Sequence, residues 1–430
     1  MKARPSIGAG GRQGVSDFLR MPSLSLRGIS GVGQAILLCL AIALLFVTEN
    51  LQPSSACGLL WMFLVLVGHA SSRPWSLAVL GMLMLNVRQV VLDEGTIPSS
   101  HMDMVLIVAA FLCGYGQRRG WWLRTMGAVA VGILIGVIGN FQVVFDFVRF
   151  GIEYHALALT KNQTALLAGL AVLCGGTSLA ASRNLWTRLL FTGSLGASLL
   201  LLRAADSRAG IAMLLVALLL SALLLWCRRP MEAVRSSNPL LRHKKIIIAG
   251  GLLLLALAVG LSVLIMSSPD PMLSAGLYQM YGEENLENDA SRIRVYSCYL
   301  GLPFTGNNRF IYGVGYGSVM RGMCPAEAVG RSLSHAHNLI LQIWAETGLV
   351  GTLFLLPAMS WILWRVIKNM SKADRSPSLL LLFSGSAIVF YLFLFNMVEL
   401  GMIKVPVLMI LFGTFLAAPF CSTLLVREEA

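Results

Sequence analysis

The sequence predicts an all-α polytopic membrane protein of about twelve transmembrane helices. Three observations predict it: an apolar, charge-poor composition, apolar runs of helix-spanning length, and a one-sided distribution of cations. Of 430 residues, 57% are hydrophobic and 12% charged, against about 45–50% and 25% in soluble domains. Mean hydropathy is +0.75. Together these exclude a soluble enzyme, a DNA-binding module and a secreted disulfide scaffold. A spanning helix needs about 20 apolar residues, whereas an outer-membrane barrel strand alternates over about 10, and the runs here are of the first kind. They fall at 32–51, 54–70, 75–92, 101–117, 122–144, 158–180, 186–204, 208–227, 244–266, 337–364, 378–398 and 403–426.

Cation placement orients these spans. With the N-terminus cytoplasmic, 22 of the 33 Lys and Arg fall on inner segments and 11 on outer ones, whereas only 5 of the 20 acids are inner. The formal charge of +13 is thereby explained as topogenic, and nucleic acid is not needed as a partner. An even number of spans returns the C-terminus to the inside. Residues 1–30, rich in Gly, Ser and Arg, lack the apolar core and cleavage site of a signal peptide and read as a disordered cytoplasmic tail. Residues 31–266 carry helices one to nine, 267–336 an outer loop, 337–426 helices ten to twelve, and 427–430 a short inner tail.

Function concentrates in the outer loop, because loops longer than about 12–15 residues are usually functional or disordered. This one contains an amphipathic stretch, Asn288–Leu300, a glycine-rich turn with Gly313, Gly315 and Gly317, and the segment Ser332–Asn338 that leads into helix ten. The glycines have two readings: a tight turn needing positive φ, or a backbone that lets a bulky substrate approach. A nucleotide loop would need a Lys-Ser/Thr ending that is missing here. Cys298 and Cys324 share this loop. An oxidising exterior permits a bond between them, and spacing alone leaves the pairing open. Cys39, Cys57, Cys113, Cys174, Cys227 and Cys421 fall in or beside spans as packing residues.

Outer cations at membrane depth need a reason. Arg88 ends helix three, Lys161 begins helix six, Arg203 and Arg208 flank the turn between helices seven and eight, Arg292 and Arg294 lie on the amphipathic stretch, and Lys404 begins helix twelve. Snorkelling or pairing with Asp206, Glu283, Glu287 or Asp289 is the structural reading. Arg208 is set apart: it opens an apolar helix at the end whose dipole favours anions, and guanidinium matches phosphate oxygens.

The segment His337–Gly351, HNLILQIWAETGLVG, spaces His-Asn, Gly and Gly in a way that resembles the signature of O-antigen ligases, in the superfamily they share with O-antigen polymerases. Ser207–Gly210, Ser291–Tyr296 and Gly313–Gly317 resemble further family elements, in the family's order. The resemblance covers the half of the chain from Lys161 onward. It implies a GT-C-like glycosyltransferase of the bacterial inner membrane with its active site on the periplasmic face. Its donor would be O-antigen polysaccharide on undecaprenyl diphosphate, and its acceptor a sugar of the lipid A-core, among membrane lipids. It also implies that no metal or other cofactor is required. On this reading Arg208 and Arg292 stabilise the departing diphosphate, and His337 is the general base. Lys161, Arg88, Arg203, Arg294, Asn338, Gly315 and Gly317 line the substrates. Asn338 either orients the ring or caps the helix. O-antigen polymerase is the alternative, and a transporter of lipid-linked glycan is a reading from another class.

Overall fold

A computed structural model describes residues 26–69, 100–141, 145, 156–205, 207–228, 294–306, 308–315, 324, 336–372, 379–399 and 405–420. Among them the ordered elements are helical and no strand occurs. In chain order they are α1 (Leu26–Val47), α2 (Leu51–His69), α3 (Ser100–Gly114), α4 (Arg119–Gly139), α5 (Lys161–Ala181), α6 (Leu185–Ala204), α7 (Arg208–Arg228), α8 (Leu339–Lys372), α9 (Leu379–Val398) and α10 (Pro406–Leu416). Between α7 and α8 lie a loop helix at 294–301, a 3-10 turn at Leu302–Phe304 and a helical turn at Arg309–Tyr312. Among the described residues, five helices are long and apolar enough to cross a membrane: α4, α5, α6, α8 and α9. Shorter apolar helices occupy α1, α2, α3, α7 and α10. The spans expected at 75–92 and 244–266, and the first 25 residues of the expected tail, lie outside the described residues. The helix of α1 begins at Leu26, inside that tail.

The bundle is built by close helix pairs: α1 on α2 and α4, α5 on α4 and α6, α9 on α5 and α7, and α10 on α3. A continuous apolar core runs through them. Helices already immersed in lipid gain little from burying apolar surface against each other, so small residues and interhelical hydrogen bonds do the joining. The α5–α9 pair illustrates this. Tyr391 lies against Gly169, where any side chain would collide with its ring, and its hydroxyl donates to the Ala165 carbonyl at 2.9 Å. That contact fixes the ends of α5 and α9 that carry Asn162 and Glu399.

Helix ten of the sequence reading, expected to run unbroken from His337 to residue 364, is different in the structure. It starts at Leu339 and is interrupted at Gly348, whose φ of 61° and ψ of −152° are not helical. A close backbone contact causes the interruption. The Arg309–Tyr312 turn presses onto it, so that a Cβ at Gly348 would collide with Gly313 N and Ile311 O, and one at Gly313 would collide with the Glu346 carbonyl. Two positive-φ glycines, 70° and 61°, thus let two backbone segments touch.

Candidate functional site

The loop forms its own small core of Val295, Tyr299, Leu302, Cys324, Ala336 and Ala345. Cys298 and Cys324 are disulfide-bonded, with Cα atoms 6.1 Å apart. The bridge ties the loop helix to the chain ahead of His337, and Trp344 Nε1 donates to the Leu300 carbonyl at 3.2 Å. Tyr299 is enclosed here, and burial together with neighbouring Glu346 pushes its hydroxyl pKa well up.

His337 is held on both sides. Ahead of it, Ala336 N donates to Gln342 Oε1 at 2.9 Å, and Gln342 Nε2 donates to Glu346 Oε1 at 2.6 Å. Behind it, Asn338 Oδ1 accepts from Leu341 N at 3.0 Å, which makes Asn338 the N-cap of α8. Asn338 Nδ2 donates to the Met397 carbonyl at 2.8 Å. Both ends of this amide are therefore engaged within the protein. Of the two roles open for Asn338, the structure shows the helix cap. Between these anchors His337 adopts a φ of 51°. A non-glycine residue in that region is strained by about 1–3 kcal/mol and persists only where its surroundings over-determine it.

The imidazole meets a buried carboxylate. His337 Nδ1 lies 3.2 Å from Glu399 Oε2, with the two side chains 16% and 2% exposed. The same oxygen accepts from Asn162 Nδ2 at 2.7 Å. Asn162 Oδ1 accepts from Ser207 Oγ at 3.0 Å, and Ser207 Oγ accepts from Gly210 N at 3.3 Å, capping α7. One hydrogen-bonded chain thus joins α5, α7, α9 and the start of α8 at one end of the bundle. It places Ser207 Oγ within about 12 Å of the imidazole, with Arg208 as the next residue of the chain. An ionised Glu399 accepts a hydrogen bond from Nδ1, and in the neutral ring that hydrogen bond leaves Nε2 as the acceptor nitrogen.

The remaining predicted residues divide by location. Lys161 is exposed at the first position of α5, behind a Thr160–Gln163 capping box. Arg203 is exposed in the last turn of α6, where the helix dipole favours a cation. Arg294 is exposed on the loop helix. Gly315 has a φ of 95°, and its N–H donates to the Glu346 carbonyl at 3.0 Å. Arg88, Arg292, Gly317, Lys404 and His335 lie outside the described residues, and Arg208 is placed by its backbone as the first residue of α7. Sequence reasoning missed Glu399 and Asn162. The available signal was an acid at the outer end of an apolar span, which is costly unless partnered. Among the described residues no group of three or more His, Cys, Asp or Glu is placed to hold a metal ion.

Residues 193–356 match the family model described as O-antigen ligase. That segment is similar to the O-antigen ligase domain of the O-antigen ligase/polymerase superfamily. It takes in Ser207, Arg208, the loop, His337 and Gly348. The two groups that touch or orient the imidazole end, Glu399 and Asn162, come from helices on either side of it. A search of curated proteins finds no match.

Proposed function

We propose that this protein is an O-antigen ligase. It transfers O-antigen polysaccharide from undecaprenyl diphosphate to a sugar of the lipid A-core, on the periplasmic face of the inner membrane. The observation that supports this reading best is the hydrogen-bonded chain from Ser207 through Asn162 and Glu399 to His337, because it gathers an anion-binding helix start and a candidate base at one bundle end. His337 Nε2 takes the proton of the acceptor hydroxyl, which is a poor nucleophile without a base. Glu399 keeps the proton on Nδ1 and fixes the ring, the role a carboxylate plays behind a catalytic imidazole. The acceptor oxygen attacks the sugar's C1, the C1–O bond to diphosphate breaks, and the anomeric centre inverts. Negative charge collects on diphosphate oxygens, which Arg208 at the start of α7 and Arg292 on the loop stabilise.

The banding of lipopolysaccharide from a deletion strain tests this. A ligase deletion removes the polymer ladder while lipid-linked polymer accumulates. Cores that still carry a single repeat unit contradict the reading in favour of a polymerase.

A further inference from the structure

The two ends of α8 carry matching aromatic features, and only one has an obvious purpose. At the far end Arg365 Cζ lies 5.7 Å from the Trp361 and Trp364 ring centres, and Lys368 Nζ lies 4.4 Å from that of Trp364. Tryptophans interleaved with cations mark the boundary between hydrocarbon and headgroups. A hydrocarbon core about 30 Å thick, at 1.5 Å per residue, occupies about 20 residues of helix. Counted back from Arg365 and Lys368, the opposite boundary falls at about Ala345–Gly348.

A second aromatic group sits at that level. Phe304, Phe310 and Trp344 stack on one another with ring centres 5.6–6.0 Å apart. Unlike a core cluster, it faces outward: Phe304 and Tyr312 are each 65% exposed, and Leu300, Phe310 and Ile311 are exposed beside them. The turn that carries Ile311 and Tyr312 rests on the Gly348 kink. Directly past the kink, α8 presents Leu353 and Phe354, 61% and 78% exposed. Exposed apolar side chains therefore lie on both sides of the kink.

We propose that the segment Leu302–Tyr312, together with Trp344, is a foot seated in the headgroup-to-acyl boundary of the bilayer, on the His337 side. The exposed aliphatic side chains Ile311, within this segment, and Leu300, beside it, fit acyl chains better than they fit sugar rings. Arg309, held by Thr305 Oγ1 at 2.9 Å, supplies the cation that such a boundary accommodates. Seated this way, the foot sets the height of the α8 kink, and hence of His337, against the lipid headgroups.

The test uses the wild-type protein in nanodiscs of phosphatidylethanolamine and phosphatidylglycerol, with a fraction of phospholipid bearing a diazirine near the glycerol. After illumination, lipid adducts are mapped by peptide mass spectrometry. The expected result is labelling across 302–312 within about threefold of that at 349–356, and loss of most of it in Phe304→Ser/Phe310→Ser. Labelling at 349–356 with none at 302–312 overturns the proposal. So does labelling at 302–312 that appears only when a diazirine-bearing glycolipid replaces the phospholipid, which would make the patch a glycan platform.

Discussion

Glu399 is buried and bonded at one oxygen to both His337 and Asn162, so its removal acts through the ring rather than on substrate. Glu399→Gln should lower the transfer rate by about 10–10²-fold. His337→Ala should lower it by more, within the 10²–10⁴-fold that general bases contribute. The double variant should be no slower than His337→Ala, since residues acting as a unit are not additive. Rates measured with matched membrane content check this, and an additive double variant would mean that Glu399 acts elsewhere. Charge type is the second test at this scale. Arg208→Lys and Arg292→Lys should each lose about 10²–10³ in rate, because an ammonium cannot bind two diphosphate oxygens as a guanidinium does. Lys161→Arg should be tolerated. Full activity in both Lys variants would assign the arginines a structural role. His337 and Arg208 were legible in the sequence because each stood in a motif or in an unfavourable place. Glu399 was not, since it is far in sequence and its meaning lies in who its neighbours are.

At the scale of elements, the loop is a machined support rather than a free strand of chain. Its disulfide closes a sequence separation of 26 residues, and closing such a loop is worth about 3 kcal/mol. Cys298→Ser/Cys324→Ser should therefore lower the thermal midpoint in detergent, as should a reductant applied to the wild type but not to the double variant. An unchanged midpoint would show that the bridge bears no load. The kink makes a sharper demand. Gly348→Ala adds a Cβ at positive φ against the backbone of residues 311–313, and should destabilise the fold by about 2–4 kcal/mol, seen as a lower yield of monodisperse protein. The glycine-rich turn was legible as a turn, because glycine's freedom is a local property. That the turn's partner is helix ten's own backbone was not legible, and neither was the break at Gly348, since apolar periodicity continues through it.

At the scale of the molecule, Arg118, Arg119, Arg124, Arg365 and Lys368 sit at one end of the bundle, and the His337–Glu399 network, with Lys161 and Arg208 next in sequence to its members Asn162 and Ser207, occupies the other. The helical class and the helix order were legible because each apolar run is a local signal of nearly fixed length. Which helices touch was not, because one apolar face looks like another until glycines and tyrosines such as Gly169 and Tyr391 select partners. On the proposed function, this arrangement would set the donor's hydrocarbon along the bundle and its diphosphate at the end where α7 begins, on the His337 side. The most direct test is initial-rate transfer by the purified protein from undecaprenyl-diphosphate-linked O-antigen to rough lipopolysaccharide, comparing wild type with His337→Ala. The account predicts glycan-extended lipopolysaccharide from the wild type and at least a hundredfold less from a folded His337→Ala. Transfer at the wild-type rate by that variant, or no transfer by the wild type with donor and acceptor on the same side, would contradict it.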